Sequence, residues 1–211
     1  MNSNNLAINW TTGESNEPAG LIFDCDGTLA DTMPIHFRAW KQTLDRFGLQ
    51  FSEDRFYAMA GQPTVHIIRI LLKEQGLEFD ADEIAEEKES AFLGLLPQVK
   101  PITPVVEVAK HFQTSKPMGV GSGSNREVVK MVLETIGLPD FFQVIVGAED
   151  VEQPKPAPDV FLKVAQGIQV PADECCVYED ADLGIEAARR GGMTTFDIRT
   201  IYTPQRMTPK N

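Results

Sequence analysis

Two aspartates one residue apart, Asp24 and Asp26, follow the apolar run Leu21-Ile22-Phe23. In an extended chain the side chains alternate between two faces, so both carboxylates point the same way and Cys25 points the other way. A pair of carboxylates directed at one point is a candidate metal-binding site. The spacing by itself selects neither the metal nor the reaction.

Further candidate residues follow two later apolar runs. Ser122, Gly123, Ser124 and Asn125 lie where a strand is followed by a helix, and hydroxyl groups with free backbone N–H groups can bind an anion there. Glycine and serine are also ordinary loop residues, so this segment alone does not define a site. Lys155 stands between two prolines that restrict the backbone, a pattern that also suits a rigid loop.

A second acidic pair, Glu179 and Asp180, follows the apolar run at 175–178. Acids at a helix start are often caps, but active sites of parallel sheets lie outside the carboxyl ends of the strands. These two acids should therefore converge with Asp24 and Asp26 on one crevice. At an effective dielectric of about 20, two carboxylates ~4 Å apart repel each other by about 4 kcal/mol, so the crevice requires a cation.

The chemistry of the converging groups suits phosphoryl transfer. Oxygen ligands in this number select a hard divalent cation, and Mg²⁺ with water ligands is the natural choice. Lys155 adds positive charge and Ser122 adds a hydroxyl, which together describe a cradle for a phosphoryl group. The predicted metal ligands are Asp24, Asp26, Glu179 and Asp180.

Composition limits the class of protein. The chain has 211 residues, of which 42% are apolar, enough for one large domain or for a domain with a modest insertion. Its 19 basic and 31 acidic residues give a formal charge of −12, which argues against binding to nucleic acid or to an anionic membrane surface. The three cysteines show neither metal-ligand spacing nor a disulfide framework. Without an apolar span or a signal-peptide pattern, we expect a cytoplasmic protein.

Strand and helix patterns alternate through most of the chain, which predicts an α/β fold: a Rossmann-like parallel sheet with helices on both faces. The continuous apolar run at 20–24 is typical of a buried parallel strand. Further strands are predicted at 117–121, 142–146, 175–178 and 194–198, with helices at about 104–113, 125–136, 158–168 and 182–190.

The alternation is interrupted from Asp31 to about Gln98, where only helical patterns occur. One helix ends at Gly48, and two more are predicted at about 63–75 and 82–96. This segment should form a small helical cap domain inserted after the first strand. The predicted organisation is a leader at 1–19 that is loose or adds a short strand, a core at 20–31 and 100–200, a cap at 32–99, and a poorly ordered tail at 201–211.

At this point the sequence resembles a known family. Asp24-Cys25-Asp26-Gly27-Thr28, Ser122, Lys155 within Lys-Pro-x-Pro-Asp, and Glu179-Asp180 resemble the four motifs of the haloacid dehalogenase superfamily of phosphohydrolases. They occur in the family's order between residues 20 and 198, and as a set they are highly specific. The helical insertion resembles the small cap of the subgroup that contains beta-phosphoglucomutase and sugar-phosphate phosphatases. The resemblance implies a Mg²⁺-dependent phosphatase acting on small sugar phosphates such as hexose phosphates.

The resemblance also implies a role for each motif residue. Asp24 attacks phosphorus and forms an aspartyl-phosphate, while Asp26 protonates the leaving oxygen and later takes a proton from water. Ser122 and Lys155 bind the phosphoryl oxygens, and Lys155 also orients Asp24. The dehalogenases that gave the family its name lack the second aspartate, so Asp26 favours phosphate chemistry. The implied metal ligands are Asp24, the backbone carbonyl of Asp26, Asp180, and Glu179 directly or through water.

Two polar side chains, His36 and Lys88, interrupt the apolar pattern of the cap. A lysine at a domain edge often extends its ammonium group to solvent, and a histidine at an interface often has a structural role, with its ring hydrogen bonds satisfied there. The resemblance instead implies that His36, Trp40 and Lys88 meet the substrate or the catalytic acid. A lysine facing the site could bind a sugar hydroxyl or a second phosphate.

Thr64, shortly after Gly61, occupies a position where the mutases of this subgroup carry an arginine. A mutase must hold a bisphosphate intermediate by its distal phosphate, and the loss of a bidentate arginine weakens that grip. We therefore expect hydrolysis, with a beta-phosphoglucomutase-like phosphohexomutase as the alternative. Thr64 joins the Ser122–Asn125 loop and the three cap residues among the candidate substrate-binding residues.

A signalling receiver is a competing interpretation from another class, because it also pairs an acidic cluster with a lysine and is phosphorylated on aspartate. A receiver requires neither Asp26 nor a helical insertion after the first strand. A catalytically inactive relative is disfavoured too, since no motif residue is missing. The expected partner is a small phosphorylated metabolite rather than nucleic acid or a membrane, and a capped enzyme with one site is expected to work as a monomer.

Overall fold

A computed structural model of the chain describes residues 17–207, and its centre is a five-stranded parallel sheet. The strands are β1 (Gly20–Phe23), β2 (Met118–Gly121), β3 (Val144–Val146), β4 (Cys175–Glu179) and β5 (Thr194–Asp197). Their order across the sheet is β3-β2-β1-β4-β5, so the first strand lies in the middle between the second and the fourth. This sheet confirms the predicted α/β fold class.

Four helices of the cap follow β1 in the chain: α1 (Met33–Arg46), α2 (Glu53–Ala58), α3 (Thr64–Gln75) and α4 (Ala81–Leu95). They bury an apolar cluster of their own, which includes Trp40 and Leu44 of α1 and Ile68 of α3. Helix α2 is absent from the sequence-based prediction, because its six residues are too few to display a helical period. Its start is marked by Ser52, whose hydroxyl accepts a hydrogen bond from the backbone N–H of Arg55.

The remaining helices cover both faces of the sheet, as predicted. They are α5 (Thr103–Phe112), α6 (Arg126–Thr135), α7 (Asp159–Gly167) and α8 (Asp182–Arg190). Leu21 and Phe23 pack in one cluster with residues of α5 and α6, while Ile22 packs in another with residues of α7 and α8. Because β1 is covered on both sides, its side chains are apolar at successive positions rather than at alternate ones.

Strand β3 is shorter than the predicted 142–146. It begins at Val144, and Phe142, two residues earlier, is buried in the core outside the ladder. The ring of Phe142 lies 5.7 Å from that of Phe23, centroid to centroid. Among the helices in residues 17–207, none combines the length and the apolar character that crossing a membrane requires.

Two chain segments connect the cap to the core, and they pair with each other. The backbone N–H of Asp31 donates to the carbonyl of Lys100 at 2.8 Å, and that of Ile102 donates to the carbonyl of Leu29 at 2.9 Å. The entry and the exit of the cap therefore form one short double connection. Any movement of the cap relative to the sheet must bend both segments together.

Residues 201–207 of the predicted tail form no helix or strand, and two of their side chains contact the rest of the chain. Tyr202 donates its hydroxyl hydrogen to Asp31 at 2.7 Å, and Arg206 pairs with Asp54 of α2 at 2.7 Å. The tail thus runs from the core onto the cap. The apolar part of the predicted leader falls within residues 1–16, outside the described residues.

Candidate active site

Asp24 lies directly after β1, and its carboxylate contacts the ammonium group of Lys155. Nζ of Lys155 donates to Oδ1 of Asp24 at 2.7 Å and to Oε2 of Glu179 at 2.8 Å. The backbone N–H of Asp24 still donates to the carbonyl of Tyr178, so the sheet holds this residue as the chain enters the site. The three side chains are buried, so the ammonium group of Lys155 is held between the carboxylates at the ends of β1 and β4.

Strand β4 runs one residue beyond its predicted end and finishes with Glu179. Oε1 of Glu179 accepts hydrogen bonds from the backbone N–H groups of Asp180 and Ala181, at 3.2 and 3.0 Å. Asp180 follows at once, and its Oδ1 accepts a hydrogen bond from the hydroxyl of Thr28 at 3.3 Å. Strand end and loop therefore turn both carboxylates toward Asp24.

Two glycines make room for these carboxylates. A Cβ atom on Gly27 would lie 2.3 Å from Oδ2 of Asp180, and one on Gly184 would lie 2.2 Å from the carboxyl carbon of Glu179. Gly27 also has a backbone φ of +85°, a conformation that residues with a side chain rarely adopt. Glu179 is buried and cannot swing into solvent, and Asp180, which is partly exposed, is held by the hydroxyl of Thr28, so the sequence needs glycine at both positions.

Asp24, Glu179 and Asp180 form a cluster that could hold a metal ion, with one carboxylate oxygen from each lying within 4.8 Å of the others. The donor set fits a hard divalent cation, because it consists of carboxylate oxygens alone. The predicted contribution of the Asp26 backbone carbonyl stays a prediction.

The electrostatics of the cluster favour a bound cation. Burial, followed by the nearby carboxylate of Glu179, raises the pKa of Asp24 to about 8 and holds the pKa of Asp180 well above its usual range. Burial alone would lower the pKa of Lys155, but the carboxylates of Asp24 and Glu179 outweigh it and raise that pKa. One ammonium group thus only partly compensates three acids, and a divalent ion would favour their ionised forms.

Asp26 makes a different set of contacts. Its Oδ2 accepts hydrogen bonds from the hydroxyls of Ser124 at 2.7 Å and Ser122 at 3.3 Å, and its Oδ1 lies 3.4 Å from Nε2 of His36. Burial would raise the pKa of Asp26, but the contacts with His36 and Ser124 outweigh it and hold the pKa well below its usual range. The ionised carboxylate is therefore the stable form of Asp26 in this arrangement.

The two aspartates share a crevice without sharing partners, which corrects the picture of two carboxylates directed at one point. The chain leaves the strand after Phe23, and residues 25–29 form a turn closed by hydrogen bonds to the carbonyl of Cys25. Strand alternation therefore ends before Asp26. Asp24 faces Lys155 and the acidic cluster, whereas Asp26 faces the serine loop and the cap.

His36 of α1 connects Asp26 to Lys88 of α4. Nζ of Lys88 lies 3.0 Å from Nδ1 of His36. Burial and then the charge of Lys88 lower the pKa of His36, so its ring is neutral. A lysine can only donate to Nδ1, and we therefore assign the ring proton to Nε2, which faces Asp26.

Lys88 is almost completely enclosed, with a side chain 3% exposed. Its Nζ lies 5.5 Å from the ring centre of Trp40 and 5.6 Å from that of Phe92, while Phe92 stacks on His36 at 3.9 Å between ring centres. Trp40 thus packs in the cap core behind Lys88. Its predicted contact with substrate, like those of His36 and Lys88, stays a prediction.

Glu89 is a polar member of this cluster that the sequence does not reveal. Its Oε1 accepts from Nζ of Lys88 at 3.0 Å and from the hydroxyl of Thr64 at 2.8 Å. Adjacent helix residues point in different directions, so the pair Lys88-Glu89 gives no signal of a shared site. A continuous polar path therefore runs from Thr64 through Glu89, Lys88 and His36 to Asp26.

The cap approaches the core next to the start of α8. A Cβ atom on Gly61, in the loop before α3, would lie 3.5 Å from Cδ1 of Leu183. Asp24 and Glu179 are buried, whereas Asp26 and Asp180 are partly exposed. In the serine loop Ser122 is buried, whereas Gly123 and Asn125 are exposed, and their predicted contact with substrate stays a prediction.

Comparison with known proteins gives the same family as the motifs. The sequence profile of the haloacid dehalogenase-like hydrolases matches residues 21–198. The fructose-1-phosphate phosphatase YqaB of Escherichia coli (strain K12) is 41% identical over 184 residues, which cover 87% of this chain and 97% of that protein. The beta-phosphoglucomutase of Bacillus subtilis (strain 168) is 26% identical over 185 residues, which cover 84% of this chain and 82% of that protein. A crystal structure of a hydrolase from Pseudomonas syringae matches with a TM-score of 0.76 at 27% identity, covering 88% of this chain and 87% of that one.

The parallel sheet, the inserted cap and the four motifs agree with these comparisons, and the chain belongs to the haloacid dehalogenase-like hydrolases. Within that family it falls in the subgroup of sugar-phosphate phosphatases and beta-phosphoglucomutases, and it is a phosphomonoester hydrolase.

Proposed function

We propose that this enzyme is a Mg²⁺-dependent phosphatase of small sugar phosphates and that it works through a phosphorylated aspartate. The contact that carries the proposal is the 2.7 Å hydrogen bond from Lys155 to Asp24, next to the cluster of Asp24, Glu179 and Asp180. A carboxylate held by a buried cation beside a candidate metal site is arranged to attack a phosphorus atom.

In the first step, Oδ2 or Oδ1 of Asp24 forms a bond to phosphorus while the bond to the sugar oxygen breaks. Lys155 orients the carboxylate and opposes the rise in its pKa that burial causes, and the hydroxyl of Ser122 together with the backbone N–H groups of its loop binds the phosphoryl oxygens. The products of this step are an aspartyl-phosphate and the free sugar. Mg²⁺ held by Asp24, Glu179 and Asp180 would supply positive charge to the phosphoryl oxygens.

Asp26 gives a proton to the leaving sugar oxygen and later takes one from the water that hydrolyses the aspartyl-phosphate. Its contacts with Ser124 and His36 stabilise the carboxylate, which is the form that can take a proton. The same contacts oppose protonation. The acid step therefore requires that substrate binding or movement of the cap breaks at least one of them.

The size of the substrate is limited by the cap. If the approach of the Gly61 loop to Leu183 marks the closed position of the cap, a large substrate would hold the cap open. The activity named for the Escherichia coli relative, on fructose 1-phosphate, supports a small phosphorylated sugar here. We also propose that the enzyme is cytoplasmic and works as a monomer.

The test is a phosphate-release assay with Mg²⁺ over sugar and nucleotide monophosphates, including fructose 1-phosphate. We expect release from hexose phosphates by the native enzyme and none by the Asp24→Asn variant. Absence of phosphate release from every compound in the panel would contradict the proposal. A phosphohexomutase would instead convert glucose 1-phosphate, given a catalytic amount of the bisphosphate, to glucose 6-phosphate faster than free phosphate appears.

A further inference from the structure

Lys88 cannot offer its full charge to a ligand in the crevice. Its side chain is 3% exposed, and its Nζ is already shared between Nδ1 of His36 and Oε1 of Glu89. The rings of Trp40 and Phe92 enclose the rest of the ammonium group. A second phosphate on the substrate would have to break the pair of Lys88 with Glu89 before it could use this cation.

Glu89 is the exposed member of the pair. Its side chain is 44% exposed. Within residues 17–207, the hydrogen bonds that Glu89 accepts both end on Oε1, from Lys88 and from Thr64. The carboxylate is thus held in one orientation from two sides, and its Oε2 is available as an acceptor.

The position of Glu89 relates it to the reaction centre. Glu89 is joined to Asp26 through Lys88 and His36, so its carboxylate belongs to the cap side of the crevice that contains Asp26. The charge of Lys88 and the hydrogen bond from Thr64 outweigh burial and keep the pKa of Glu89 low. A fixed carboxylate there accepts hydrogen bonds from hydroxyl groups and repels a phosphate.

The geometry points to Glu89 as a specificity-determining residue: it accepts hydrogen bonds from sugar hydroxyls remote from the scissile phosphate, and it excludes sugars that carry a second phosphate. This role rests on the proposed phosphatase function. The substrate class it defines is polyhydroxylated monophosphates. Recognition combines an attractive term for hydroxyl groups with a repulsive term for a second anion.

The experiment compares kcat/KM for fructose 1-phosphate and fructose 1,6-bisphosphate in the native enzyme, Glu89→Gln and Glu83→Gln. Glutamine keeps the length of the side chain and an oxygen for Thr64. Glu83 is an exposed carboxylate near the start of the same helix, so its substitution makes the same change in net charge away from this cluster. Circular dichroism and thermal melting verify that each variant is folded.

We expect the native enzyme to prefer the monophosphate by about a hundredfold, since like charges brought together strongly disfavour a ligand. Glu89→Gln should reduce that preference by about tenfold or more, and Glu83→Gln should leave it unchanged. A preference that is equal in the native enzyme and Glu89→Gln would overturn the role of Glu89, as would equal use of both substrates by the native enzyme. Absence of turnover on any monophosphate would instead reject the proposed function.

The ratio of kcat/KM for the two substrates distinguishes a role of Glu89 in specificity from a general effect on turnover. Loss of the Glu89 carboxylate also changes the surroundings of Lys88 and His36, which can alter turnover. Such an effect acts on both substrates alike and cancels in the ratio. A fall in activity with an unchanged ratio therefore counts against specificity.

Discussion

His36 of the first cap helix and Lys88 of the fourth are joined by a 3.0 Å hydrogen bond between Nδ1 and Nζ. The lysine fixes the ring of His36 with its proton on Nε2, directed at Asp26. Lys88, which does not contact Asp26, thus controls the orientation of His36, which does. Both helices belong to the cap, so the histidine reaches Asp26 only when the cap is closed on the core.

Replacing Lys88 by methionine should lower kcat by about 10- to 100-fold with a smaller change in KM. Methionine retains the apolar packing against Trp40 and Phe92 but removes the donor that orients His36. Steady-state kinetics on the best substrate provide the measurement. Lys73→Met, at an exposed position of α3, is the control and should keep native kinetics. A native kcat in Lys88→Met would show that the orientation of His36 is irrelevant.

Asp24→Asn should reduce phosphatase turnover by at least about 10³-fold while the protein stays folded. The amide is nearly isosteric with the carboxylate and can still accept from Lys155, but it is a poor nucleophile toward phosphorus. Mass spectrometry of acid-quenched native enzyme should detect a phosphorylated aspartate that is absent from the variant. Asp45→Asn, an exposed change on α1, controls for the loss of one charge. Retained turnover in Asp24→Asn would reject the mechanism.

Addition of Mg²⁺ should raise the Tm, and a chelator should reverse the effect. Binding to the folded state at about 100 times the Kd stabilises it by about 2.7 kcal/mol, or roughly 5–10 °C for a chain of this size. The ion relieves the repulsion among Asp24, Glu179 and Asp180. In Asp180→Asn the shift should largely disappear, because one ligand is lost. An equal shift in that variant would place the ion elsewhere.

Asp24, Ser122 and Glu179 could be predicted because each lies at the end of an apolar run. The strands that carry them are neighbours in the sheet, so the rule that sites form at the carboxyl ends of parallel strands brings them together. Lys155 was found by the same rule, although it comes from a long loop after β3. Local pattern and topology sufficed for these residues.

The separation of Asp24 from Asp26 could not be read in the same way. It depends on where β1 ends, and a strand boundary is the least certain feature of a sequence pattern. Glu89 and Arg206 were missed for another reason. Their contacts, with Thr64 and with Tyr57, join segments distant in sequence, and no periodicity marks them.

Arg206→Ala should loosen the cap. The guanidinium pairs with Asp54 and lies 4.7 Å from the ring centre of Tyr57, so it ties the tail to α2. Loss of these contacts should cost about 1 kcal/mol or less, and should speed amide hydrogen exchange in α2. Arg69→Ala is the control, since it breaks an exposed pair with Asp82 within the cap. Equal exchange in both variants would show that the tail does not restrain the cap.

Gly184→Ala should displace the carboxylate of Glu179 and so lower both stability and activity. The new methyl group would lie 2.2 Å from the carboxyl carbon of Glu179, which must move and weaken its hydrogen bond with Lys155. We expect a loss of about 2–3 kcal/mol of stability, or roughly 5–10 °C in Tm, together with a fall in kcat of about 100-fold or more. Thermal melting and steady-state kinetics measure the two effects.

Gly94→Ala is the matched control for Gly184→Ala, because it makes the same chemical change in a helix where an added Cβ meets no atom within 4 Å. Alanine there should stabilise α4 by up to about 1 kcal/mol and leave kcat unchanged. The same substitution of glycine by alanine is thus expected to lower the Tm at position 184 and to raise it at position 94. If Gly184→Ala instead keeps the native Tm and kcat, Glu179 can move without consequence, and its position between Lys155 and the metal cluster is not required for turnover.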